Sequence, residues 1–196
     1  FANALEAAED PADMTEIPHP RVGFIGVIDE RMDIELLGRV AEKMPTWQFV
    51  MIGPVVKIDE NDLPRRANIH CLGGKDYRDL PSYIGRWDVA MMPFAMNEST
   101  RYISPTKTPE YLAAGRPVVS TPIRDVVRPY GENGLVRIAS TADEFAEAIG
   151  AALNEDADER KGRVDEFLSN MSWDLTHGEM SRLIDATIAS RQNGLA

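Results

Sequence analysis

Short apolar runs alternate with amphipathic stretches along most of the chain. Uninterrupted apolar segments recur at residues 21–28, 47–55, 68–74, 87–94, 116–123 and 135–140. Such runs are typical of strands that are buried on both faces of a parallel sheet. Apolar residues at helical spacing predict helices over 33–44, 77–86 and 110–115. This order predicts an α/β fold with a doubly wound, mostly parallel, six-stranded Rossmann-like sheet.

The last quarter of the chain shows helical spacing only. Thr141 and Glu144 form a capping-box pattern before an apolar run, and two further helices are predicted over 156–170 and 173–191. We therefore divide the chain into an acidic amino-terminal arm or linker (1–20), an α/β domain (21–155) and a helical carboxyl-terminal extension that completes the domain (156–196).

Composition excludes several classes of protein. The chain is 43% hydrophobic and 27% charged, as ordinary globular domains are. Its net charge of −11 disfavours nucleic acid as a partner, because phosphate contacts need clustered Lys and Arg.

No apolar run approaches the roughly 18 residues of a membrane span. The single cysteine, Cys71, suits a reducing compartment, so we expect the cytoplasm. The acidic start without Met indicates a piece of a longer protein.

The usual catalytic signatures are absent from the sequence. It has no G-x-G-x-x-G, no P-loop pattern and no G-x-S-x-G, so a Rossmann dinucleotide site, a P-loop NTPase and a serine hydrolase are disfavoured. His19, His70 and His177 show no metal-ligand spacing. We expect no metal site, and we interpret His70 and Cys71 as structural residues.

Small residues follow three successive predicted strands. Gly26 follows the first, Gly53 and Pro54 follow the second, and Gly73 and Gly74 follow the third. Ligands of doubly wound sheets bind outside the carboxyl ends of the strands. Together these glycines predict one crevice where a ligand approaches the backbone.

The segment 101–123 holds the candidate chemistry. Two helix starts are open, with Ser104 capping Pro105 or Thr108 capping Pro109, because proline favours the first helical position. Either start sets free amides beside Lys107, an arrangement that binds anions. Glu110 lies three residues further on, so both side chains can face one pocket. The alternative is a surface ion pair.

At this segment the sequence resembles a known family. Lys107, Glu110 and the run EYLAAGRPVVST resemble the donor-site segment in the carboxyl-terminal domain of GT-B, glycogen-synthase-like retaining glycosyltransferases. The resemblance extends to FIGVIDERMD, VMIGP, the segment 68–94 and the late S-W-D at 172–174, and so covers about residues 20–190. It implies that 21–155 binds a nucleotide sugar and that an amino-terminal GT-B domain is missing from this chain.

The resemblance also implies roles for single residues. Glu110 would bind the ribose hydroxyls, and the amides near Thr106–Thr108 would hold the diphosphate. The first-strand loop from Gly26 to Arg31 would approach the diphosphate and the sugar. Arg31 and Lys107 are the catalytic candidates, since cations stabilise the charge that grows on a departing diphosphate. The backbone at three further positions would contact the base, with Gly53 and Pro54 close by: Gly73, Gly74 and Lys75.

Two positions depart from the family pattern. The family often has Glu eight residues before the ribose-binding Glu, where this chain has Tyr102, so any contact of Tyr102 with the donor sugar would be altered. The family also tends to have Arg directly after the first-strand glycine, where this chain has Val27.

The resemblance thus implies a glycosyltransferase that moves a sugar from a nucleotide sugar to an unknown acceptor, without a metal or other cofactor. Peripheral membrane association of the parent protein is compatible with this hypothesis. The alternatives are a non-catalytic nucleotide-sugar-binding or interaction domain of the same fold, which Tyr102 and Val27 favour, and a nucleotide-sugar epimerase. We expect the isolated fragment to be inactive.

Overall fold

A computed structural model describes residues 10–171 and 173–193. It contains one six-stranded sheet in the order β3-β2-β1-β4-β5-β6, and all neighbouring strands are parallel. The strands are β1 (Arg21–Ile25), β2 (Gln48–Ile52), β3 (Ile69–Cys71), β4 (Val89–Met92), β5 (Val118–Ser120) and β6 (Val136–Ile138). The predicted doubly wound α/β sheet is confirmed. The strands are shorter than the apolar runs because each run continues into the loop that follows.

Seven helices surround the sheet in the described part of the chain. They are α1 (Ile34–Lys43), α2 (Leu80–Ile84), α3 (Lys107–Ala113), α4 (Arg124–Val126), α5 (Ala142–Leu153), α6 (Ala157–Ser169) and α7 (Trp173–Asn193). The predicted capping box of Thr141 and Glu144 begins α5. Helix α4 and the π-helical turn Val127–Gly131 were not predicted, because such short turns carry no apolar period. In the S-W-D motif, Ser172 lies outside the described residues.

The strand order places the helices on two faces and creates a switch point. The chain runs from β1 outward to β2 and β3, then returns to β4 beside β1 and continues the other way. Right-handed crossovers therefore put α1 and α3 on opposite faces. Helix α1 packs against α5, and α3 packs against α6. The carboxyl ends of β1 and β4 form the switch point, which is where ligands of such sheets bind.

The start of α3 differs from both expected positions. The helix begins at Lys107 after Thr106, whose side chain makes no capping hydrogen bond. Thr108 is fully buried, and its hydroxyl lies 3.7 Å from Sδ of Met92 on β4. Both predicted starts were therefore wrong. Burial of Thr108 against β4 fixes where the helix begins, and Pro109 fits within the first turn because the amide there needs no helical acceptor.

Residues 10–20 pack against the sheet through Arg21. The guanidinium of Arg21 is buried and forms a bidentate pair with Asp10, at 2.8 and 3.0 Å. It also donates to the carbonyls of Met14 and Ile17. Met14 itself is fully buried. This part of the acidic arm is therefore joined to β1, whereas residues 1–9 lie outside the described residues. None of the described helices is both long and apolar enough to cross a membrane.

Candidate functional site

The three glycine-containing loops meet at the carboxyl edge of the sheet. The Gly26 amide donates to the Ile52 carbonyl at 2.8 Å, and the Gly53 amide donates to the Gly73 carbonyl at 2.9 Å. A Cβ on Gly53 would lie 1.8 Å from the Gly26 carbonyl oxygen, so only glycine allows these two loops to approach. A Cβ on Gly74 would lie 3.9 Å from Cδ of Pro54. The five residues therefore form one continuous backbone surface.

The first residue of helix α3, Lys107, places its side chain over Gly26 at the switch point. A Cβ on Gly26 would lie 2.3 Å from Cε and 2.8 Å from Nζ of Lys107. The Lys107 ammonium lies 5.8 Å from the centroid of the Phe24 ring, within the range of a cation–π contact. One turn further along α3, the hydroxyl of Tyr111 accepts a 2.8 Å hydrogen bond from the Ile25 amide. This bond fixes the helix to β1 and so holds Lys107 in place.

Lys107 and Glu110 are both half-buried and make no direct ion pair. In the part of the chain that the structure describes, no carboxylate lies within 4.0 Å of the Lys107 ammonium, and no cation lies within 4.0 Å of Glu110. Burial lowers the pKa of Lys107, and the negative charge of Glu110 partly offsets this. Burial raises the pKa of Glu110, against the opposing charge of Lys107. An ordinary surface pair would not show this desolvation.

A second cation, Arg31, lies on the first-strand loop. Its guanidinium holds the buried Asp29 carboxylate, with Nε and Nη2 at 2.9 and 2.6 Å from the two oxygens. This contact lowers the pKa of Asp29 and raises that of Arg31. The positive charge of Arg31 also contributes to lowering the pKa of Lys107. Sequence reasoning missed Asp29. The only feature of the sequence that could have indicated this pair is the position of Asp29 two residues before Arg31.

The side chain of Lys75 is held by the amino-terminal segment. Its ammonium lies 2.7 Å from Oδ2 of Asp13 and 5.8 Å from the centroid of the Tyr83 ring. The Tyr83 hydroxyl donates to Oδ1 of Asp13 at 2.8 Å. Asp13 thus joins the loop after β3 to helix α2. Sequence reasoning missed it, because one Asp in an acidic arm carries no distinguishing signal.

The helix-start amides are in part satisfied by the protein itself. The Thr108 amide donates to the Pro105 carbonyl at 3.3 Å, whereas the amides of Thr106 and Lys107 have no acceptor within the described residues. Two of the three amides in Thr106–Thr108 are therefore free to bind a ligand.

Tyr102 lies apart from this group. Its side chain is 76% exposed and stacks under the Arg101 guanidinium, 5.3 Å from the ring centroid. Among the described contacts, none joins Tyr102 to Lys107 or Glu110. Val27 is also exposed, at 41%.

A cleft of about 770 Å³ opens beside the carboxyl ends of β2 and β3. Gly53, Pro54 and Gly73 line it together with apolar side chains such as Leu63 and Ile69. Neither Lys107 nor Glu110 lines this cleft. It therefore extends the glycine surface away from the switch point, toward the edge strand β3, and is large enough for a planar ring.

Comparison with known proteins identifies the family. The family described as "Glycosyl transferases group 1" matches residues 19–155, which is more than half of the chain. The chain belongs to this family. A curated relative, the putative teichuronic acid biosynthesis glycosyltransferase TuaH of Bacillus subtilis, is 32% identical over 103 residues, or 51% of this chain.

Solved glycosyltransferase structures share the fold. Sucrose-phosphate synthase from Thermosynechococcus elongatus superposes with a TM-score of 0.65 over 97% of this chain, at 20% identity. HepE of Anabaena, solved in complex with UDP, superposes with a TM-score of 0.71 over 94% of this chain, at 11% identity. The chain spans 26% of the length of TuaH, and 49% and 55% of the two structures.

Proposed function

We propose that this chain is the donor-binding half of a glycosyltransferase that moves a sugar from a nucleotide sugar to an acceptor. One observation carries the proposal: the desolvated Lys107 ammonium lies on Gly26 at the switch point, with no carboxylate within 4.0 Å in the described part of the chain. Desolvating a cation without a counter-ion is unfavourable, so such a site favours an anionic ligand. A nucleoside diphosphate is the anion that the family uses.

In this proposal Lys107 and Arg31 bind the diphosphate from two sides. The side chain of Lys107 lies over Gly26 at the end of β1, and Arg31 lies on the loop that follows. The free amides of Thr106 and Lys107 add neutral donors. As the glycosidic bond breaks, negative charge grows on the departing phosphate, and preorganised cations and amides stabilise that charge. No metal is required by this scheme. By resemblance, we further propose transfer with retention of the anomeric configuration.

Glu110 and the glycine surface would bind the nucleoside. The carboxylate of Glu110 lies one helical turn beyond Lys107, where it would accept hydrogen bonds from the two ribose hydroxyls. The base would lie along the backbone of Gly73, Gly74 and Lys75. It would enter the cleft that Gly53 and Pro54 line. Because HepE was solved in complex with UDP and with UDP-glucose, a uridine donor is the first to test.

A second domain would complete the site. Helix α7 exposes the apolar side chains of Met180, Leu183, Ile184 and Ile188, each at 50% or more. These lie within about 140° around the helix, and a face of this kind is normally covered. The solved relatives are about twice as long as this chain. We therefore propose that the missing domain covers α7 and provides the acceptor site.

A non-catalytic binding domain is the second candidate. The position that is often Glu in the family is Tyr102, whose side chain points into solvent with 76% of it exposed. A protein that binds the nucleotide sugar and performs no transfer would need no group there. Activity of the full-length parent distinguishes the two candidates, since nucleotide binding alone is common to both.

Calorimetry on the purified chain tests the donor site. UDP, GDP, ADP and uridine are titrated into the unsubstituted chain, into Lys107→Ala and into the control Lys161→Ala. The control removes a lysine paired with Asp165 on α6. Loss of a charge-assisted contact is expected to weaken diphosphate binding about 10- to 150-fold and leave uridine binding unchanged. Equal diphosphate affinity in all three proteins would overturn the assignment.

A transfer assay on the same fragment tests the need for a second domain. We expect nucleotide binding without turnover, because water cannot be excluded from a site that lacks its opposing wall. Efficient turnover of a nucleotide sugar by the isolated chain would refute this expectation and leave the donor-site assignment standing.

A further inference from the structure

Arginines converge on a recess at the opposite edge of the sheet. Arg137 of β6 and Arg163 of α6 line a recess of about 320 Å³ together with Glu155. Pro117 and Leu135, which immediately precede β5 and β6, also line it. The recess therefore lies at the amino ends of these strands, away from the switch point and from Lys107.

The cations at this recess outnumber the carboxylates. Glu155 is the carboxylate that both arginines share, with Nη2 of Arg163 at 2.5 Å and Nη2 of Arg137 at 3.5 Å. A third arginine on α6, Arg160, is buried and donates to the Gly115 carbonyl. Burial lowers the pKa of Arg160, the charges of Glu155 and Asp156 oppose this, and those of Arg163 and Arg137 add to it. Among the residues that line the recess, two arginines therefore share one carboxylate.

Arg137 also has a donor without an acceptor. Its Nε is buried and makes no hydrogen bond within the described residues. The 3.5 Å separation of its Nη2 from Glu155 is longer than a normal hydrogen bond. Buried N–H groups are nearly always paired in proteins. The guanidinium of Arg137 is therefore incompletely paired by the protein, and its exposed end borders the recess.

We propose that this recess binds a phosphate group, held by Arg137 and Arg163. The planar guanidinium matches the spacing of phosphate oxygens and forms short, charge-assisted hydrogen bonds with them. Both side chains remain about two-fifths exposed, so a ligand reaches them from solvent. The phosphate belongs to a soluble phosphorylated compound or to the headgroup of phosphatidic acid, and both present a terminal phosphate monoester. The site does not depend on the proposed donor function.

Nuclear magnetic resonance of arginine side chains tests the site directly. Inorganic phosphate is titrated into the chain carrying Lys107→Ala, which removes the proposed donor-site cation. We expect a saturable shift of the Arg137 Nε–H resonance. A chain that also carries Arg137→Gln and Arg163→Gln should bind phosphate at least about tenfold more weakly, as followed by calorimetry. The control Arg101→Gln removes an exposed arginine paired with Glu98 and should not change the affinity.

Glu155→Gln gives a second test of opposite sign. Removing the negative charge that competes for the arginines should strengthen phosphate binding severalfold, while the unliganded protein becomes less stable. If Glu155 and the arginines serve only to join α6 to β6, stability falls and phosphate affinity does not change. That outcome, or an unchanged affinity in the double arginine variant, would overturn the proposal.

Vesicles distinguish the two sources of phosphate. Phosphatidylcholine vesicles with and without phosphatidic acid are compared by co-sedimentation, using the same variants. Binding that requires phosphatidic acid and the two arginines identifies a lipid headgroup. Binding of inorganic phosphate without vesicle binding identifies a soluble ligand. Absence of both interactions would refute the site.

Discussion

The side chain of Lys107 lies in the space that a Cβ on Gly26 would need. The distance from that Cβ position to Cε of Lys107 is 2.3 Å, and Gly26 has φ of +151°. The loop after β1 and the start of α3 therefore depend on each other, although 80 residues separate them in the sequence. Glycine at position 26 allows the cation to lie over the end of the first strand.

Gly26→Ala should disturb both the fold and the proposed donor site. The substituted residue would adopt a conformation that L residues rarely adopt, and its methyl group would displace Lys107. We expect a loss of about 1–3 kcal/mol in the free energy of unfolding, measured by urea denaturation, together with weaker diphosphate binding. Gly150→Ala is the control, since a Cβ there meets no atom within 4 Å in the middle of α5. If Gly26→Ala binds the diphosphate as the parent does, the position of Lys107 is irrelevant to binding.

Glu110→Gln should stabilise the unliganded protein and weaken nucleoside binding. Burial raises the pKa of Glu110, so the folded protein disfavours the charged form, and a neutral amide removes that cost at neutral pH. We expect unfolding at slightly higher urea concentration. If the carboxylate accepts ribose hydroxyls, uridine and UDP should both bind about tenfold or more weakly.

Glu98→Gln provides the comparison for Glu110, because Glu98 is an exposed glutamate paired with Arg101. It should change neither stability nor affinity appreciably. A stability gain in Glu110→Gln without any loss of uridine affinity would remove Glu110 from the nucleotide site.

The fold could be predicted from the sequence because the strands are buried on both faces. Apolar runs located all six strands in order, and glycines after three of them indicated the shared edge that the structure contains. The start of α3 could not be predicted. Proline preference was a local signal, whereas the burial of Thr108 against β4 is a tertiary contact between residues far apart along the chain.

The partners of the site cations could not be predicted either. Asp13 reaches Lys75 across 62 residues of sequence, and no local pattern indicates such a pair. Asp29 lies two residues before Arg31, but its burial depends on how the loop packs, which only the structure shows. Sequence reasoning thus named these cations as candidate site residues and missed the carboxylates that hold Arg31 and Lys75.

Asp13→Asn should release Lys75 and change the titration of Tyr83. Burial raises the pKa of Tyr83 to about 12, and the hydrogen bond and charge of Asp13 contribute to this. Without that charge, the pKa of Tyr83 should fall toward the ordinary tyrosine value, as followed by ultraviolet absorbance of the phenolate. If the loop after β3 contacts the base, UDP affinity should also fall severalfold.

Glu16→Gln is the matched control for Asp13, because it removes an exposed carboxylate from the same segment. It should leave the Tyr83 titration and UDP affinity unchanged. An unchanged Tyr83 titration in Asp13→Asn would mean that Asp13 does not hold the tyrosine in solution. A shifted titration with unchanged UDP affinity would limit Asp13 to a structural role.

The ion pair of Asp29 and Arg31 should make the free energy of unfolding depend on pH in the acid range. Hydrogen bonds from Arg31 lower the pKa of Asp29 below its usual value of about 3.9. Above that value Asp29 is charged in both states, and the pair stabilises the folded protein fully. As the pH falls below about 4, the unfolded chain takes up a proton first, so the contribution shrinks and is lost once the folded protein is also protonated. The difference in unfolding free energy between the parent and Asp29→Asn should therefore be largest at neutral pH and decrease as the pH falls below about 4. Arg31→Gln should reduce the same acid dependence, because it removes the main cause of the lowered pKa. A difference between parent and Asp29→Asn that stays constant from pH 7 to the acid transition would show that Asp29 is not held by Arg31.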